Sequence, residues 1–343
     1  MRTLVTGANG FVGAALCRKL LERGDAVRGL VRATSDLSLL EGASIERAVG
    51  ALDRPDSLDA ATRDVDVVFH VAAAVTDWGT LEWFRQVNVE GTRNLIEAAI
   101  RNGVKRFVYV STVAVHSFID GQEMTEDSPQ LPTPFPYSQS KREGEAMVMG
   151  YHREGKIEVS IVRPGDVYGP GDRTALLKLA PVLEAGMMMH VGRGEKLGAF
   201  VYVDNLVDGI ILAGTVRQAA GEAYVITDGI RLTWRAYWDR LTDALELPRP
   251  RLSVHPAVAR FIASTLEFIY RLFRIRSRPL ITRYLVDHMT NHTHFSIEKA
   301  RRELGYAPGV GIDEAITRTA AWYRQVARRS PSPTAMGEGR DGG

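Results

Sequence analysis

Along the first half of the chain, short continuous apolar runs alternate with stripes of apolar residues at helical spacing. Leu4-Val5-Thr6 is a strand-like run, and Ala14 to Arg23 has a helical stripe that stops at Gly24. Ala26 to Val31 reads as a second strand. Val65 to Ala74 is a buried-type strand that runs into small residues, and the helix after it carries Asn88-Val89-Glu90-Gly91-Thr92-Arg93-Asn94. Arg106 to Thr112 is a further strand. This alternation predicts an α/β fold, a Rossmann-type doubly wound parallel sheet whose ligands lie at the carboxyl ends of the strands.

In the second half, Val258, Phe261, Ile262, Leu266, Phe268, Ile269, Leu272, Phe273 and Ile275 recur at helical spacing between Pro256 and Arg278, followed by arginines at 271, 274, 276 and 278. Arg260 and Glu267 make the run too polar to span a bilayer. A basic amphipathic helix of this kind fits three settings: peripheral association with a membrane through 256–278, a lid over a pocket, or a subunit contact. Phe295 to Arg301 predicts a capped helix, and after about Arg329 the Ser-Pro-Ser-Pro and Gly-rich run predicts a disordered tail, 330–343.

The chemistry sits where strands end. Gly7, Gly10 and Gly13 in Gly7-Ala8-Asn9-Gly10-Phe11-Val12-Gly13 follow a strand and open a helix, which allows backbone N–H groups and the helix N-terminus to approach a pyrophosphate. The small residues Val71-Ala72-Ala73 would let the same ligand lie against the backbone. Arg32 ends the second strand where an acid would bond a ribose hydroxyl and an arginine would accept a 2′-phosphate, so NADP(H) is favoured. Asp36 nearby leaves NAD(H) open. Tyr137 and Lys141 stand four apart at a helix start and share a face. A fixed positive charge would lower the phenol's pKa from about 10 and fit it to pass a proton to or from a carbinol oxygen. Ser111 and Thr112 lie at the end of a strand, where a hydroxyl could hold a substrate oxygen.

Composition narrows the setting. The chain has 343 residues, 45% of them hydrophobic, enough for an α/β core with a second lobe. Its 43 basic and 41 acidic residues give no electrostatic case for nucleic acid. The single Cys17 can form no internal disulfide and reads as a small core residue. With no apolar signal region at the start, a cytoplasmic enzyme is expected. His288, His292 and His294 lie in what reads as an Asn/Thr-rich loop without metal-site spacing, so no metal is expected. Met187-Met188-Met189 reads as pocket lining or core.

Together, Thr6-Gly7-Ala8-Asn9-Gly10-Phe11-Val12-Gly13, His70-Val71-Ala72-Ala73, Asn88, Thr112, Tyr137 with Lys141, and Arg163-Pro164-Gly165 resemble the extended short-chain dehydrogenase/reductases, over roughly residues 1–325. The resemblance implies an NAD(P)-binding Rossmann domain over 1–165 with return segments near 200–227, a mainly substrate-binding C-terminal lobe over 166–329, and a homodimer. It also implies roles. Tyr137 would be the acid-base, Lys141 would lower its pKa and grip the nicotinamide ribose, and Thr112 would orient the substrate oxygen with Ser111 as fallback. Asn88 would support the proton relay, and Pro164-Gly165 would lie beside the nicotinamide. Gly50-Ala51-Leu52 departs from the family's Gly-Asp-Leu: Leu52 keeps its place at the cofactor, but the acid that contacts adenine is absent unless Asp53 replaces it.

The branch is read from what is missing. Val113-Ala114 stands where nucleotide-sugar dehydratases carry Asp-Glu, and Gly198-Ala199 where epimerases carry a diphosphate-pairing Arg-Asp. Together with Arg278-Pro279-Leu280-Ile281-Thr282-Arg283-Tyr284, this resembles the 3β-hydroxysteroid dehydrogenase and β-keto lipid reductase branch. The implied function is an oxidoreductase interconverting a secondary alcohol and a ketone on a small hydrophobic substrate, a sterol or a β-hydroxy/β-keto lipid. A sugar epimerase-type relative and a non-catalytic dinucleotide-binding protein remain the alternatives.

Overall fold

The computed structural model describes residues 1–117, 123–173, 175–275 and 277–329. The predicted tail and Arg276 lie outside them. The first half lays down β1 (Arg2–Thr6), α1 (Phe11–Glu22), β2 (Ala26–Val31), β3 (Glu46–Val49), α2 (Pro55–Thr62), β4 (Val67–His70), α3 (Leu81–Arg85), α4 (Gly91–Arg101), β5 (Arg106–Val110), α5 (Pro136–Arg153) and β6 (Glu158–Pro164). Next come β7 (Asp166–Tyr168), α6 (Leu176–Glu184), β8 (Met189–Val191), β9 (Leu197–Gly198), β10 (Phe200–Tyr202), α7 (Val203–Thr215) and β11 (Ala223–Ile226). The chain ends through β12 (Leu232–Thr233), α8 (Trp234–Leu245), β13 (Leu252–Val254), α9 (Pro256–Leu272), α10 (Arg283–Thr290), α11 (Glu298–Leu304) and α12 (Ile312–Arg329).

Seven strands pair in parallel in the order β11-β6-β5-β4-β1-β2-β3, so the strand order reverses between β1 and β4. That reversal opens the crevice in which such sheets bind ligands. Side chains alternate across the sheet and feed two cores. Val5, Phe69 and Val108 join the cluster under α1 and α7, while Leu4, Val68, Phe107 and Tyr109 join the one under α2, α4 and α5.

Several expected elements are shorter than their apolar runs. The strand expected over Val65 to Ala74 is confined to Val67–His70, and the strand ending at Thr112 stops at Val110. Beyond each strand end the backbone bends away to line the crevice. The helix carrying Asn88 is interrupted by a π turn, Gln86–Glu90, between α3 and α4. His288 lies on α10 rather than in a loop. Of the three methionines only Met188 is buried; Met187 and Met189 are exposed. Cys17 is buried in the α1 core, and burial pushes its thiol up to about 12.

Candidate active site

The crevice is built around the turn from β1 into α1. Gly7 has φ +67°, and a Cβ there would stand 3.0 Å from the backbone of Ala72; a Cβ on Gly13 would stand 2.0 Å from the Gly7 oxygen. Only glycines let the turn close on itself and on the loop after β4. Gly10 caps α1 without any side-chain hydrogen bond, which leaves the first N–H groups of that helix directed at the crevice. The resulting groove encloses about 660 Å³ and is lined by Gly7, Asn9, Gly10, Arg32, Leu52, Asp53 and Ala72 to Ala74, among others. A long groove with a glycine floor and an uncapped helix start fits a dinucleotide. Phe11, Val12 and Gly13 form the first turn of α1 behind this lining, and Val71 follows the last residue of β4.

Arg32 is exposed at the groove, and among the described residues its guanidinium has no hydrogen bond or ion pair. Asp36 does not turn inward. It accepts from Ser38 and from Arg173 at 2.5 Å, and these hydrogen bonds hold its carboxyl down at about 2. Asn9 instead donates to the Asp36 backbone oxygen at 3.2 Å.

Tyr137 and Lys141 share the inward face of α5. Tyr137 is half-buried and hydrogen-bonded to the Thr112 side chain. Lys141 is buried, its Nζ 2.7 Å from the Val110 oxygen, to which it donates, and 4.2 Å above the Tyr109 ring. The lowered phenol pKa expected from the spacing is not found. Burial raises Tyr137 to about 12 against the Thr112 hydrogen bond, and burial lowers Lys141 to about 7, with Glu145 opposing. Desolvation weakens the charge that was to act on the phenol. Thr112 also caps the short helical turn Val113–His116, accepting from the Ala114 N–H at 3.2 Å. The Ser111 hydroxyl is buried without a partner among the described residues, so the hydroxyl beside Tyr137 belongs to Thr112.

Asn88 is turned inward by the π turn. Its Oδ1 accepts from the Ala74 N–H at 2.7 Å, and its Nδ2 donates to the Ala74 backbone oxygen and, at 3.0 Å, to Ser140 Oγ, which itself donates to the Tyr137 backbone oxygen, not to the phenol. A buried chain runs behind it. Thr92 donates to the Asn88 backbone oxygen, so it must accept from His70 Nε2–H; His70 Nδ1 then accepts from Thr6, which accepts from the Ala72 N–H. Burial drives His70 down to about 3, in keeping with this neutral tautomer. The supporting roles of Thr6, Thr92, Ser140 and Tyr109 are not legible in the sequence, because nothing local marks a buried partner.

On the far side of Thr112, a small cavity is lined by Gly165, Asp166, Tyr284, His288 and Phe295. Pro164 ends β6 beside it. A Cβ on Gly165 would lie 1.8 Å from the Ala199 oxygen, so this glycine is required by the contact between β7 and β10 whatever lies against it. His288 Nε2 stands 2.7 Å from Asp166 Oδ1. Burial opposes a charge on this imidazole, but the carboxylate outweighs it and raises the pKa. His294 pairs with Glu123 at 3.0 Å. No local pattern in the sequence marks Tyr284 and His288 as pocket residues, since α10 reaches the site only through folding.

Known proteins share both sequence and shape with this chain. The profile of the NAD dependent epimerase/dehydratase family matches residues 3–227. A 2-alkyl-3-oxoalkanoate reductase of Stenotrophomonas maltophilia is 32% identical over 94% of this chain and 99% of its own length. A 3-beta-hydroxysteroid dehydrogenase of Mycolicibacterium neoaurum is 33% identical over 95% and 92%. Among solved structures, DesIV, a dTDP-glucose 4,6-dehydratase from Streptomyces venezuelae with NAD bound, superposes with a TM-score of 0.77 at 28% identity, covering 96% of this chain and 98% of that one. The chain belongs to the NAD dependent epimerase/dehydratase family, on the side of its NAD(P)-dependent oxidoreductases that interconvert alcohols and ketones.

Proposed function

We propose that this protein interconverts a secondary alcohol and a ketone on a sterol or a β-hydroxy/β-keto lipid, with Tyr137 as the acid-base group. The hydrogen bond between Tyr137 and Thr112 carries the reading, because it brings two hydroxyls together where one carbinol oxygen could bond both. When bound, the dinucleotide supplies or accepts the hydride. Lys141, one helical turn from Tyr137, would hold the ribose of that dinucleotide on leaving the Val110 oxygen. Asn88 and Ser140 hold α5 against the loop after β4. The phenol, raised to about 12, stays protonated at neutral pH and is ready to donate in ketone reduction. Oxidation needs the phenolate, so its rate should climb with pH through the alkaline range while reduction does not.

The hydrophobic substrate class is supported by the two relatives named above and by Gly198-Ala199, which offers no guanidinium for a diphosphate. NADP(H) is favoured over NAD(H) by the uncommitted Arg32 and by Arg54, which lines an adjoining cavity with it. The enzyme is further read as a cytoplasmic homodimer able to associate peripherally with membranes. The test is turnover of NADP⁺ and NAD⁺ against sterols, β-hydroxy acids and nucleotide sugars. Net reduced cofactor with the first two supports the reading; conversion of a nucleotide sugar without net change in the nicotinamide would replace it with the epimerase alternative.

A further inference from the structure

We propose that the outward face of α9 and the turn after it dock on an anionic lipid surface, holding the rim of the substrate pocket against the bilayer. The role of the rim rests on the hydrophobic-substrate reading above; the docking does not.

The helix is amphipathic with its large side chains outward. Its buried residues are Ala259, Ala263 and Glu267, while Phe261 is 72% exposed, Phe268 66%, Leu272 63% and Phe273 69%. Val258, Ile262 and Ile269 extend the patch along the helix, and Leu280, 84% exposed, extends it beyond. A continuous apolar surface of this size marks a contact.

Charge selects the occupant. Residues 256–280 contain five arginines and one acidic residue, Glu267. Glu267 is buried and already accepts from Arg271 and from the Arg283 N–H and Nε. Arg260 pairs with Asp287 and Arg278 with Asp77, whereas Arg274, exposed at the end of the patch, has no partner among the described residues. A second copy seated on this face about a two-fold axis would present the same arginine-bearing surface back to it. Anionic headgroups above an apolar interior complement both features. Among the described residues no helix is long and apolar enough to cross a membrane, so the contact is one of a helix lying flat.

The patch is coupled to the site. Asp77, in the loop after β4, accepts from Arg278 and Thr282, and Trp78 packs edge-on against Tyr270 with Arg271 over its ring. Thr282 starts α10, whose Tyr284 and His288 line the cavity beside Thr112. A lipid substrate could therefore pass from the bilayer to the pocket along this rim.

The test is co-sedimentation of the full chain with phosphatidylcholine vesicles, with and without phosphatidylglycerol. Binding is expected with the anionic vesicles and should weaken with salt, since exposed charges are screened within about 10 Å at 0.1 M. The double variant Phe261→Glu, Phe268→Glu should bind at least roughly tenfold more weakly, and Arg274→Glu should lose part of the salt-sensitive binding. Affinity for NADPH and the thermal midpoint should stay at wild-type values in both variants, which excludes misfolding. No sedimentation with either vesicle would overturn the proposal, as would binding indifferent to the double variant. A dimer that the double variant converts to monomer would assign the face to a second copy instead. Sedimentation is read without turnover, so failure of the substrate panel and failure of docking are separate results.

Discussion

Helices α5 and α9 are nearly equal in length, 18 and 17 residues, and both begin with proline. They handle polarity in opposite ways. α5 buries Ser138, Ser140, Lys141 and Glu145; α9 buries two alanines and one glutamate and leaves its phenylalanines in water. Each departs from the rule that apolar groups go inside and charges outside, and each departure has a cost that packing alone does not explain. The cost in α5 is desolvation, visible in the depressed Lys141 and raised Tyr137. In α9 it is exposed apolar area. Buried polarity suits chemistry within the molecule, whereas exposed apolarity suits contact outside it.

The comparison can be broken first at Tyr137. Tyr137→Phe should lower kcat by roughly 10²–10⁴ with cofactor affinity and thermal midpoint unchanged; near-normal turnover would leave α5 with no catalytic use for its half-buried phenol. Thr112→Val should also reduce kcat, and Ser111→Ala should do less. Next is Glu145, which accepts from Arg163 at 2.8 and 3.0 Å with both side chains buried. Glu145→Ala strands that guanidinium and should cost about 3–5 kcal/mol in urea unfolding. A cost below about 1 kcal/mol would mean that α5 tolerates an unpaired charge.

Lys141 sharpens the contrast further. Its pKa falls from an ordinary 10.5 to about 7. Between those values the unfolded chain holds a proton that the folded one does not, so stability should rise with pH across that window and be lowest below about 7. Lys141→Met should abolish that rise and be the more stable protein at pH 6, while losing turnover. Unfolding curves at pH 6 and pH 9 decide it; identical pH slopes would mean that Lys141 stays charged when buried. The smallest effect belongs to α9, where Phe268→Ser should change unfolding free energy by no more than about 0.5 kcal/mol. A loss of several kcal/mol would show that the phenylalanine is packed and the patch is not an open surface.

Much of this was legible in the chain itself. Alternating apolar runs and helical stripes determine the parallel sheet, because strands buried on both faces must be apolar throughout. The glycine loop is legible too, since tight turns and close backbone approach admit few other residues. So is the proximity of Tyr137 and Lys141, because a four-residue spacing on a helix is a distance. Tertiary structure alone decided what long-range burial controls. It set the neighbours that raise Tyr137 and lower Lys141, and it placed the Thr112 hydroxyl, not that of Ser111, beside Tyr137 by the direction in which the chain leaves β5. It also tied Asp36 to Arg173, linked His70 to Thr6 and Thr92, and brought Tyr284 and His288 to Thr112 across more than 170 positions of sequence. Pattern records which residues prefer water or its absence; desolvation and hydrogen-bond partners depend on what the fold places beside them.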